Sequence, residues 1–314
     1  MLRTGFTLLL TLLCLPLPAK QLAFYHQGDL LNYQWQTPDG QVLRLQSKLS
    51  AQTRVPALID WRPAMADAYV YRALMQDATS QYPAQRFELH RQNGQWQMRY
   101  QVADAALGAE ISQWLEQQRT QRWGEYLTQH YFVQDQDSLG RPLVRYDYAR
   151  LVQTLAPELA TLATQLQAVT EQAQPQQSPP NAGDQRRLIG WMLDFVQSIP
   201  YRALGSSSTE RGLSFLLPRQ VLAQNVGDCD SKMVLMAALL RSRFPKLPVT
   251  LVLVPNHALL AVGMAAQAGD QQLPNNGGVL LEVAGPGLYP PGQVAPTTQR
   301  YLDSGQVQAI AVEQ

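Results

Sequence analysis

Asn225-Val226-Gly227-Asp228-Cys229-Asp230-Ser231-Lys232 runs into Met233, Met236, Ala237, Leu240 and Phe244, apolar residues at the spacing of one helix face. Val226-Gly227-Asp228 reads as a loop that leads into this helix, so Cys229 falls at its first turn. The unpaired amides and positive dipole end at a helix start favour a thiolate and lower its pKa toward the working range. The same amides can hold the oxyanion formed when a thiolate attacks a carbonyl. Asp228, just before the cysteine, has the plainer role of a helix cap.

Thiolate chemistry needs a base, and the base needs a group to orient it. The chain has four histidines. His26 and His90 fall on the polar phases of strand-rich stretches, and His130 ends a long helical stretch, so packing or solvent accounts for all three. His257 differs: it opens a strand-like run, His257 to Val262, directly after the bend Pro255-Asn256. Glu282 lies in the next such run, Val279 to Val283, between Leu281 and Val283. A carboxylate buried there without a partner would cost several kcal/mol, and a neighbouring strand would bring it to His257. The two-residue period of a strand also allows Glu282 to face solvent, opposite Leu281. Gln224 and Tyr201 are candidates for a second oxyanion donor, with capping or packing as their plainer roles. Cys229, His257 and Glu282 could nominally ligate zinc, but no CxxC or HxxxH pair accompanies them. Asp135-Gln136-Asp137-Ser138-Leu139-Gly140 starts like a calcium loop, yet carries Tyr146 where the closing glutamate would fall. No metal and no cofactor is expected.

Residues 1–19 read as a secretory signal: Arg3 is the positive start, Phe6 to Leu15 the apolar segment, and Pro16-Leu17-Pro18-Ala19 the small-residue cleavage point before Lys20. The apolar run is shorter than the ~20 residues of a membrane-spanning helix. Later segments show no such run, so the mature protein is expected to lack a membrane span and to be periplasmic or secreted. Of two cysteines, Cys14 would leave with the signal, which makes Cys229 a lone thiol that is either reactive or buried and inert.

Apolar residues are 46% of the chain, enough for a sizeable core. Charged residues are 16%, the formal net charge is +1, and no run of Lys or Arg occurs. Nucleic acid and anionic membranes, both held by clustered positive charge, are therefore excluded as main partners.

The pattern along the chain is α+β. Leu31, Tyr33 and Trp35 alternate with polar residues up to the turn Pro38-Asp39-Gly40, and Leu43, Leu45 and Leu49 resume the alternation. Phe87 and Leu89 lead through Asn93-Gly94 to Trp96, Met98 and Tyr100, a second hairpin, with a helix from Met65 to Gln81 between the two. Ile111, Trp114, Leu115, Tyr126, Leu127 and Tyr131 suit a long helix, and Asp147 to Gln172 another, with Pro157 in the first turn of its second half. The Pro/Gln-rich residues 174–183 read as a linker between an N-terminal accessory domain, 20–173, and a catalytic domain, 184–314. In the latter, Leu188 to Ile199 is helical up to Pro200, and Val249 to Val254 is a third strand-like run.

Within residues 184 to 290, Asn225 to Lys232 resembles the cysteine signature of the transglutaminase-like superfamily, and Val254-Pro255-Asn256-His257-Ala258-Leu259-Leu260-Ala261-Val262 its histidine strand. Leu280-Leu281-Glu282-Val283 falls where the third member is expected, and Val196 to Tyr201 resembles the segment before the cysteine helix. The resemblance, to an exported bacterial member, implies a papain-like core in which the cysteine helix packs on a small antiparallel sheet carrying the other two residues. It implies thiol acyl chemistry by Cys229, His257 and Glu282, although the third member is usually aspartate and Asp303 is a distant substitute. Three functions follow: a cysteine peptidase or amidase, which is preferred; a transamidase that cross-links or modifies proteins or cell-wall peptides; and a binding or scaffold protein that keeps the fold without the activity. The partner expected is a protein, peptide or cell-wall peptide substrate.

Overall fold

In β-rich segments the alternation of side chains decides which face is buried. The computed structural model describes residues 20–49, 53–137, 140–174, 181–204, 214–274, 277–284 and 288–313. The proposed signal, 1–19, lies outside the described residues, as do 175–180 of the proposed linker. β1 (Lys20–Gln27), β2 (Leu30–Gln36) and β3 (Val42–Lys48) form an antiparallel sheet in that order. Tyr33 pairs with Leu45 and Trp35 with Leu43, so the apolar residues of both strands share one buried face.

α1 (Pro63–Gln81), the hairpin of β4 (Phe87–Gln92) and β5 (Gln95–Tyr100), and α2 (Ala105–Gln129) form a layer of their own around Ala78, Phe87 and Ile111. Asn93 and Gly94 both take positive φ, as the Asn-Gly hairpin turn requires. A short hairpin of β6 (Phe132–Gln136) and β7 (Pro142–Tyr146) leads to α3 (Tyr148–Leu155) and α4 (Ala160–Ala173). Between these two helices a 3-10 turn, Ala156–Leu159, accommodates Pro157, which has no N–H to give a continuous α-helix.

The remainder is α5 (Ala182–Ser198), α6 (Pro218–Gln224), α7 (Cys229–Arg243), α8 (Pro296–Asp303) and four strands. The strands β8 (Val249–Val254), β9 (His257–Val262), β10 (Val279–Leu281) and β11 (Gln308–Val312) make an antiparallel sheet in the order β10-β9-β8-β11. The chain is thus mixed α and β with small antiparallel sheets. The sequence places β10 at Val279 to Val283; the strand ends at Leu281, and Glu282 follows it directly.

α7 corrects a second expectation. Every residue from Ser231 to Arg241 is buried, so the helix has no solvent face opposite Met233, Met236, Ala237 and Leu240. β8 and β9 cover one side, while α3, α4, α5 and α6 cover the rest. A helix apolar all round belongs in the middle of a core. Residues on both sides of 174–183 build that core: the Tyr33 and Trp35 rings lie 5.0 and 5.2 Å from the Phe195 ring, and Tyr33 Oη donates to the Leu222 carbonyl at 2.6 Å. The linker reading therefore does not coincide with a division of the core. No helix among the described residues is long and apolar enough to cross a membrane.

Candidate active site

The loop between α6 and α7 sets the cysteine. α6 ends at Asn225, which takes the left-handed conformation (φ 51°) that asparagine tolerates. Gly227 forms a parallel bridge with Tyr201, donating to the Pro200 carbonyl at 3.2 Å and accepting from the Arg202 amide at 3.1 Å. A Cβ on Gly227 would meet Val221 at 3.3 Å and Lys232 at 3.4 Å, so the close approach wants glycine. Asp228 caps α7 by accepting from the Ser231 amide at 2.9 Å, as the sequence suggests. Lys232, fully buried one turn further along, donates to the carbonyls of Gln197 and Ile199 at the end of α5. The start of the cysteine helix is thereby tied to the end of α5, and Cys229 is left half-buried.

A tight turn brings up the histidine. Asn256, with φ 57°, closes the β8–β9 hairpin, and Val254 and His257 are its last register pair. β10 lies against the other edge of β9, with Leu281 opposite Leu260, so the chain leaves β10 heading toward the His257 end. Glu282 there is 1% exposed, and its Oε1 pairs with His257 Nε2. Its Oε2 accepts from Thr298 Oγ1 at 2.9 Å and from the Ala295 amide at 3.3 Å, both at the start of α8. Gln197 Nε2 holds the Glu282 carbonyl at 2.6 Å. The solvent-facing alternative for Glu282 is thus not what the fold presents. Asp303, the distant substitute, is exposed at the end of α8 and accepts from Gln299.

Cys229 and His257 line one cavity of about 660 Å³. Its other walls include Trp61, Phe132, Tyr146 and Tyr148 from the N-terminal half, so the accessory region supplies much of the cleft. Of the two oxyanion candidates, Tyr201 lines the cavity and is 50% exposed, whereas Gln224 is exposed at the end of α6 and does not line it.

The thiol itself behaves differently from the expectation of a lowered pKa. Cys229 Sγ donates to Asp230 Oδ1 at 3.6 Å, and Asp230 Oδ2 accepts from Tyr148 Oη at 2.6 Å. Burial first, then the carboxylates of Asp230 and Asp228, push the thiol well above its ordinary range. The Asp230 amide opposes this but does not outweigh it. Burial, with two acids in the same turn, therefore outweighs the helix start and favours the thiol form that donates to Asp230. Asp230 was visible in the sequence only as part of the cysteine motif. Thr298 and Tyr148 gave no signal, because each joins the site from a distant element. Among the described residues no group of three or more His, Cys, Asp or Glu is arranged to hold a metal ion. No family model matches this chain, and no curated protein matches it.

Proposed function

We propose that this protein is an exported thiol hydrolase, a cysteine peptidase or amidase that works through an acyl-enzyme on Cys229. One observation carries the reading: Cys229 at a helix start and His257 line the same cavity, and His257 is backed by a buried carboxylate that is itself held by two donors. A cysteine helix packed on an antiparallel sheet whose adjacent strands bring up the histidine and the acid also supports the transglutaminase-like, papain-like reading. Glutamate in place of aspartate fits a position one residue past the strand end, where the extra methylene spans the gap to His257.

The chemistry follows from the proton inventory. Glu282 engages Nε2, which leaves Nδ1 of His257 to take the thiol proton as the sulfur attacks a substrate carbonyl. The Glu282 carboxylate stabilises the imidazolium that results. Amides at the first turn of α7 would donate to the oxyanion as it develops. The imidazolium then protonates the departing amine, and water, activated by the same ring, releases the acyl group and restores the thiol.

The test is alkylation of Cys229 by iodoacetamide across pH, followed by a screen of peptides and cell-wall peptides. His257→Ala should remove the histidine-dependent part of the alkylation profile and lower turnover by about 100-fold or more. An H257A protein that alkylates with the wild-type pH profile would overturn the reading.

A further inference from the structure

We propose that Asp230 recognises a protonated amine, so that the site selects acyl substrates carrying a cationic amino group beside the scissile carbonyl. This rests on the thiol-hydrolase reading above and names its substrate class. In the resting site Asp230 Oδ1 holds the thiol hydrogen and Oδ2 the Tyr148 hydroxyl. Once the proton passes to His257, Oδ1 loses its donor and faces a thiolate at contact distance in a partly buried site. Two anions so placed repel, and something must replace the lost proton between them. An ammonium group on the substrate does so: it donates to Oδ1, offsets the carboxylate's charge and lets the thiolate form only when such a substrate is bound.

The rest of the cavity agrees with a cation. Among the described residues its charged and titratable lining groups, besides Cys229, are Arg145, Asp228, Asp230 and His257, with Tyr146, Tyr148 and Tyr201 neutral. Arg145 is already neutralised by Asp135, with Nε to Oδ2 at 2.7 Å, and its guanidinium stacks over the Tyr148 ring at 5.5 Å. His257 is paired with Glu282. Among the described lining residues Asp228 and Asp230 are thus left as the excess charge, and after burial the same acids push the Cys229 thiol up. Half-buried Trp61 adds aromatic surface to the wall, and such surface attracts a cation.

Methanethiosulfonate reagents bearing an ethylammonium, a methyl or an ethylsulfonate group test the proposal on the full chain. Modification of Cys229 is followed by peptide mass spectrometry, and each rate is divided by that reagent's rate with a small neutral thiol. The expected order is cation, neutral, anion, with at least a tenfold span at low salt that shrinks at high salt. Asp230→Asn should collapse the span to within about threefold and speed the neutral reagent, whereas Tyr148→Phe, which keeps the charge, should retain the order. A wild-type ratio of cation to anion at or below one, or a span unchanged in D230N, overturns the proposal, and the wild-type ratio decides even if D230N does not fold. Peptides with a free N-terminus and N-acetylated peptides with a lysine side chain then distinguish the two sources of the amine. His257→Ala separates the two claims: a charge preference that survives without any histidine dependence would defeat the hydrolase reading alone.

Discussion

Replacing Lys232 by methionine should change how the stability of this protein depends on pH. The Lys232 side chain is fully buried beneath the cysteine turn, and its ammonium satisfies the last carbonyls of α5. Burial pushes its pKa from 10.5 down to about 8. Between those two values the unfolded chain binds a proton that the folded chain does not, so stability rises with pH across that window. Below pH 8 both states are protonated and the full penalty stands, about 3 kcal/mol at 1.36 kcal/mol per unit. Two-state titration with these pKa values places about 1.3 kcal/mol of recovery between pH 7 and pH 9. Methionine has a similar volume and no proton to lose, although it strands two carbonyls, so the absolute change at one pH mixes two effects. Urea unfolding of both proteins at pH 7, 8 and 9 separates them. Wild-type stability minus K232M stability should climb by about 1.3 kcal/mol over this range, while groups common to both proteins cancel. A flat or falling difference would show that Lys232 is not held as a penalised cation, and the reasoning from its burial would fail.

Glu282→Gln keeps the shape of the carboxylate but not its charge; turnover should fall about 10- to 100-fold with the fold intact, and unchanged turnover would remove Glu282 from the mechanism. Thr298→Val deletes one donor to that carboxylate and should lower turnover by roughly fivefold, the worth of one hydrogen bond near 1 kcal/mol, with Thr298→Ser restoring it. Asp194 is buried on α5, and burial with the nearby Asp39 charge raises its pKa from 3.8 to about 7, so its proton stabilises the fold below pH 4 and this support is lost as pH rises to 7. Asp194→Asn should therefore gain roughly 4 kcal/mol at pH 8 and little at pH 4 by thermal or urea unfolding, and an equal effect at both pH values would contradict it. Proteolytic nicking within 175–180 should leave two fragments that co-elute on gel filtration, because the core crosses that point; a C-terminal fragment that elutes folded and alone would refute this.

Local rules carried much of the architecture. Asn93-Gly94 demands positive φ at two successive residues, so its hairpin was legible from two letters. Alternation through Leu31, Tyr33 and Trp35 marked the buried face of the first sheet, because side chains on a strand have no other period to follow. Gly227-Asp228 before an apolar run marked the start of α7, and Pro255-Asn256 marked the turn that presents His257. Residue type and order, together with the family resemblance, thus sufficed to single out Cys229, His257 and Glu282 as candidates. What surrounds them depends on long-range packing, which no local pattern encodes. α7 reads as one-sided because its second cover, α3 and α4, comes from before the Pro/Gln stretch. The donors that hold Glu282 come from α8, and Tyr148 reaches Asp230 across the cleft from α3. The thiol's state is the sharpest case. A helix start alone argues for a thiolate, but burial and two neighbouring carboxylates reverse that sign, and burial is a property only of the folded chain.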